Sequence, residues 1–225
     1  MGRFYNSSIG KKFFVSITGL FLMAFLLVHL GVNSLLMFDD TGELFNQAAH
    51  FMGSNPIMKV IEPILGIGFI LHIVYALIVQ IVNWTKRPVK YSKWDQKESS
   101  SWASRNMIYL GAIVLIFLGI HLVNFFFKIK FGTVAPITYA DGVKMHNSYA
   151  LVAELFKTCT AIDVLYVLGG IFLGLHLNHG FWSAFQTIGW SNNDWRKKLE
   201  LVGSIYALII AIGFSIIPLY FLIKF

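Results

Sequence analysis

The sequence predicts an all-α integral membrane protein, a bundle of five transmembrane helices, and three observations carry that reading. Hydrophobic residues make up 56% of the 225-residue chain and charged residues only 13%. Soluble domains carry about 25% charged residues, and a soluble surface of this size cannot be covered with so few ionic groups. Mean hydropathy is +0.67. The apolar residues also fall in long blocks separated by polar links, as membrane spans do.

Five blocks qualify as spans: 13–38, 57–84, 106–131, 161–188 and 201–225. Each holds roughly the 20 apolar residues that about 30 Å of hydrocarbon requires at a rise of about 1.5 Å per residue. The first follows Lys11 and Lys12, as a signal peptide would, but it is too long for one and lacks a small-residue cleavage site. A retained helix is expected. Pro218 should kink the last span near its end. The link 132–160 is too long for a simple turn, and within it YALVAELFK (149–157) has helical spacing and is expected to lie along the interface. No internal repeat suggests an inverted-repeat transporter. The expectation is one domain, 1–225, with no soluble part.

Twelve of the eighteen basic residues fall on one side: Arg3, Lys11 and Lys12, then the links 86–105 and 196–198. The positive-inside rule then puts the N-terminus in the cytoplasm and the C-terminus outside, in a multi-pass protein of the cell inner (cytoplasmic) membrane. Trp84, Trp102, Trp190 and Trp195 lie near the cytoplasmic ends of the spans, where aromatic belts occur.

The composition also excludes functions. Net charge is +7, but the basic residues sit in the links, and no basic stripe interleaved with aromatics suggests nucleic acid. A lone Cys159 rules out an internal disulfide and a thiolate cluster, and without C-x-x-C-H no haem can be attached covalently. There is no Gly-rich flavin motif and no nucleophile-and-base arrangement, so the isolated chain is not expected to catalyse a reaction.

Seven histidines are present, and five lie within the spans: His29, His72, His121, His176 and His179. Ionisable groups inside lipid are functional by default. One deep histidine in each of the first four spans argues against independent structural roles. His29 and His121 lie about 13–15 Å from the outer ends of their spans, His72 and His176 about 20–24 Å. Two levels result, His29 with His121 and His72 with His176. Facing imidazoles on different helices can clamp one haem iron from both sides, and with both axial positions filled electron transfer is favoured over oxygen chemistry. The chain is thus expected to hold two non-covalent b haems. Gly68 and Gly180 lie one turn from His72 and His176, where they either admit a flat macrocycle or allow close helix packing. Asn33 and Asn124, one turn outward of His29 and His121, can bond haem propionates or other helices. His179 shares a face with His176, and its lesser depth makes it a propionate or supporting partner. His50 and His146, in outer links, are expected to be solvated.

The segment HLNHGFW (176–182) followed by SAFQTIGW (183–190), with VHLG (28–31), LHIV (71–74) and GIHL (119–122), resembles the di-haem cytochrome b subunit of succinate:quinone oxidoreductases. The match is to the five-span single-subunit type of succinate dehydrogenase and fumarate reductase, and it covers essentially the whole chain. The resemblance implies axial ligation by His29 with His121 and by His72 with His176. It implies partners on the cytoplasmic side, a flavoprotein and an iron–sulfur subunit, with menaquinone as the quinone. Electrons would pass from succinate oxidation to quinone, or back in fumarate reduction. Some relatives carry a glutamate two residues before the last ligand, where this chain has Gly174, so that proton route does not carry over. The basic stretch 86–105 is a candidate docking face for the iron–sulfur subunit. Glu62 is a candidate buried acid for proton handling at an outward quinone site, or equally a capping or interfacial group. Two alternatives are the cytochrome b subunit of a hydrogenase or formate dehydrogenase, and a haem-free proton-coupled transporter.

Overall fold

The computed structural model describes residues 7–85, 102–132, 134–140 and 142–225. Five helices are long and apolar enough to cross a membrane. They are α1 (Ser8–Ser34), α3 (Pro56–Thr85), the third span Met107–Phe131, α8 (Thr160–Thr187) and α9 (Asn193–Lys224). The expected multi-pass helical bundle is present, with bounds that follow local chemistry. α1 begins five residues before the expected 13 because the Ser7 side chain accepts the Gly10 N–H at 2.9 Å. α9 begins eight residues before the expected 201, where Asn192 accepts the Trp195 N–H at 2.8 Å. It then runs on through Pro218, whose missing N–H leaves the Phe214 carbonyl without its helical donor. The third span is not uniform. α5 (Met107–His121) passes through a π-helical turn, Leu122–Phe126, into α6 (Phe127–Phe131). The turn α4 (Trp102–Arg105) precedes α5. The candidate docking stretch 86–105 falls mostly on residues 86–101, outside the described residues.

At one end of the bundle α1, α6 and α9 finish and α3 and α8 begin, and the links there build a cap. α2 (Glu43–Ser54) and the antiparallel hairpin β1 (Pro136–Thr138)–β2 (Lys144–His146) were not expected. α7 (Ser148–Thr158) was expected at 149–157, and Asn147 caps it by accepting the Ala150 N–H. Asn46 of α2, fully buried, ties the three together. Its amide donates to the Tyr139 hydroxyl at 2.8 Å and to Asn147 Oδ1 at 3.2 Å, and its oxygen accepts the Tyr149 N–H at 2.8 Å. Gly42 enters α2 at φ +73, and a Cβ there would collide with the Tyr149 ring.

Beneath the cap, Leu36, Phe45, Val152, Phe156, Tyr166, Ile217 and Phe221 form one apolar cluster. Deeper, α8 packs on α9 at Gly170 and Gly174, four residues apart. A Cβ on Gly170 would lie 2.7 Å from Ser215 Oγ, and one on Gly174 2.7 Å from Ala211 Cβ and 3.0 Å from the Ala207 carbonyl. Small residues at this spacing let backbones approach where lipid supplies no hydrophobic drive. Within α3 only Gly68 is fully buried, while the helix packs on α1 through His72 and Tyr75.

Two outcomes are expected. Gly174→Leu should lower the thermal unfolding midpoint in detergent by an overpacking penalty of about 1–3 kcal/mol. Gly31→Leu, into space with nothing within 4 Å, should be near neutral. At the cap, the Leu44 N–H and then the Thr41 hydroxyl hold the Asp39 carboxyl below the usual aspartate range. The Lys224 ammonium does the same for Asp40. A depressed carboxyl stabilises fully above its unfolded value and loses that contribution as pH falls through the folded one. Amide exchange at Thr41 and Leu44 should therefore accelerate, relative to α8 amides, as pH drops below about 4, and Asp39→Asn should abolish the dependence.

Candidate functional site

The four deep histidines meet in two couples. His29 of α1 and His121 at the end of α5 have ring centroids 5.7 Å apart with planes at 88°. His72 of α3 and His176 of α8 have centroids 6.4 Å apart with planes at 76°. A metal–imidazole nitrogen bond is about 2 Å, and each nitrogen lies roughly 1.1 Å from its ring centre, so two rings sharing one metal have centroids about 6 Å apart. Both couples lie near that spacing.

The first couple lies nearer the cap. Phe25, Phe117, Phe125, Tyr166 and Phe214 surround it, each with its ring centre within 6.2 Å of one of the two imidazoles. The π turn that follows His121 brings Phe125 back over its imidazole, at 5.3 Å, and places Asn124 where its amide donates to the Tyr166 hydroxyl at 3.1 Å. Asn33 stays on its own helix. Its amide donates to the His29 carbonyl at 2.8 Å and lies 3.4 Å from His29 Nδ1.

The second couple is polar on the α3 side. His72 Nδ1 lies 3.2 Å from the Val15 carbonyl and 3.3 Å from Thr18 Oγ1. An Nδ1–H donated to a carbonyl fixes the tautomer that leaves Nε2 for a metal. His176 Nδ1 and His179 Nδ1 are buried without a hydrogen-bond partner among the described residues, where buried polar atoms are otherwise almost always satisfied. His179 packs edge-on to Trp182, and Arg196 lies over the Trp182 ring.

Two glycines absent from the sequence reading shape this level. A Cβ on Gly19 would lie 3.2 Å from His72 Cε1, and one on Gly111 3.6 Å from His176 Cε1. Each precedes a histidine of the other couple, His29 or His121, by ten residues. α1 and α5 thus present a histidine at one level and a gap for a ring at the other, about 15 Å away. α8 repeats the interval, since Tyr166 against His121 lies ten residues from His176. That matched spacing was the available signal.

Gly68 and Gly180 make no room for the imidazoles themselves. Gly68 packs under the Phe21 ring, where a Cβ would lie at 3.1 Å, and Gly180 faces Met23 and Met107. His50 and His146 are exposed. Of the two roles open to Glu62 the structure favours the interfacial one: it is not a buried acid. Its carboxylate is 39% exposed and pairs with Lys130 of α6 at 2.8 Å, because both side chains reach the aqueous rim at the cap end. Asp163, at the start of α8, was passed over and is 1% exposed.

Among the described residues no group of three or more His, Cys, Asp or Glu converges on a metal position, so these couples offer two protein ligands each. That donor set fits a haem, whose macrocycle would supply the remaining ligands. Family models, curated proteins and solved structures all give no match to this chain.

Glu62→Gln should shift thermal stability by less than about 1 kcal/mol, as for an exposed ion pair. A loss several times larger would show that the carboxylate has a buried role after all.

Proposed function

We propose that the chain is the membrane anchor and electron-transfer subunit of a succinate:quinone oxidoreductase, a succinate dehydrogenase or fumarate reductase. It would hold two b haems between His29 and His121 and between His72 and His176. The observation that carries the reading is the meeting of four imidazoles, one from each of four spans, in two couples near the clamp spacing at two depths. A haem held at each couple supplies a reversible one-electron site, and two of them at different depths connect the faces of the membrane.

The chain's own residues have the remaining work. Two imidazoles at each haem would leave no open site for oxygen. The Val15 carbonyl orients His72 and raises its basicity as a ligand. The aromatic shell around His29 and His121 keeps water from that couple. Gly19 and Gly111 let the rings of His72 and His176 lie close to neighbouring backbones. The basic links set the N-terminus in the cytoplasm of a cell inner membrane, where a flavoprotein and an iron–sulfur subunit would dock. Menaquinone would exchange electrons toward the cap side. With charge crossing the bilayer, the membrane potential contributes about 2.3 kcal/mol per charge per 100 mV.

The purified complex should show reduced b-type bands and about two haems per copy of this chain. Replacing His72 or His176 should remove the haem at one level, and replacing His29 or His121 the other. Gly19→Ala should perturb only the His72 level, while Gly31→Ala leaves both spectra unchanged. Four single histidine variants that all keep both haems would overturn the ligand assignment, and a colourless protein would overturn the function.

A further inference from the structure

We propose that Asp163 is a proton-binding residue whose protonation is linked to reduction at the His29–His121 couple. The inference rests on the haem reading above and deepens it.

Asp163 lies in the first turn of α8 and is 1% exposed. Neither carboxyl oxygen has a hydrogen-bond partner among the described residues. Buried polar groups are otherwise almost always satisfied, and an orphaned carboxyl in a membrane-spanning helix marks function. Asp163 is three residues from Tyr166, on the same face. The Tyr166 ring lies 6.1 Å from the His121 ring. By contrast His176 is thirteen residues along the helix, about 20 Å away. An electrostatic change at Asp163 is therefore felt at one couple far more than at the other.

The charged groups on neighbouring elements are occupied elsewhere. On α7, Lys157 lies over the Phe225 ring and Glu154 is exposed. On α9, Lys224 binds Asp40 and the Tyr220 and Tyr149 hydroxyls. On α8 itself, the Tyr166 hydroxyl accepts from Asn124 of the third span. His29 of α1 and His121 of α5 face each other. What remains to balance a carboxylate at Asp163 is the start of α8, whose N–H groups favour negative charge, together with the positive charge that a ferric iron held between the two imidazoles would add. If an external one-electron reductant took that iron to ferrous, one positive charge would be lost, and the Asp163 carboxylate would take one proton from the aqueous phase at the cap end. Asp163 is within one helical turn of that phase, and Cys159, just before α8, is exposed.

The test is dithionite reduction of the purified complex, read by visible spectroscopy and by infrared difference spectroscopy in H2O and D2O. Reduction should produce the carbonyl stretch of a protonated carboxylic acid, shifted by deuterium and absent in Asp163→Asn. The potential of the His29–His121 haem should fall with pH, at up to about 59 mV per unit for one proton per electron. The slope should flatten in Asp163→Asn while the His72–His176 haem keeps its wild-type behaviour. A wild-type complex with both haems and no such band, or a variant that keeps band and slope, overturns the role of Asp163 and leaves the haem reading intact. Asp163→Glu, which retains the acid, should shift the band rather than remove it, and its loss there would likewise overturn the role. Absence of b-type bands overturns both proposals.

Discussion

Hydrocarbon offers no hydrogen bonds, so every polar group carried into it must be satisfied from within the bundle, and the rest of this structure follows from that constraint. The backbone meets it by forming five closed helices. Side chains meet it by pairing. Four histidines, too deep to reach water along their helices, turn inward and meet two by two. Hydroxyls bond back to carbonyls of their own helix, as Ser16 does to Lys12 and Thr18 to Phe14. The exceptions are then informative. Nδ1 of His176 and of His179 and both oxygens of Asp163 are the buried side-chain atoms left unsatisfied among the described residues, and they lie at the two levels where chemistry is proposed.

The same constraint decided what the sequence made legible. A span is a run of about 20 apolar residues, so the five helices could be read from hydropathy alone, and their ends shifted only where a cap such as Ser7 or Asn192 recruited polar residues into the helix. Histidine depth follows from residue counting at a fixed rise, which is why the couples could be paired without coordinates. The cap end was less legible. α2 is twelve residues with mixed polarity, and the hairpin strands are three residues each; their order depends on Asn46 reaching Tyr139 and Asn147, contacts more than ninety residues apart in sequence. No local pattern announces such a contact. Glu62 stayed open between a buried and an interfacial role for a related reason, because its place in an apolar run hid Lys130 across the bundle.

Packing glycines were partly readable. Gly68 and Gly180 drew notice by lying one turn from a histidine on the same helix, but the glycines that make room for imidazole rings sit on the facing helices, at Gly19 and Gly111. Proximity along one chain segment is a poor guide to what lies opposite it. The spacing that does carry the information is the ten-residue interval shared by Gly19 with His29, Gly111 with His121, and Tyr166 with His176. An interval repeated on three helices means that three helices were built to the same two levels.

α8 shows how packing and acid chemistry divide one helix. At Gly174, two residues before His176, the facing helix is so close that even a methyl group would meet Ala211 Cβ at 2.7 Å. A glutamate there has no volume to occupy unless α9 moves away. At Gly170 and Gly174 the middle of α8 is committed to contact with α9, and the acid of this helix lies instead in the first turn at the cap end. Asp163 occupies that place. It is 1% exposed in the first turn of α8, where the helix start supplies the positive end that a carboxylate requires.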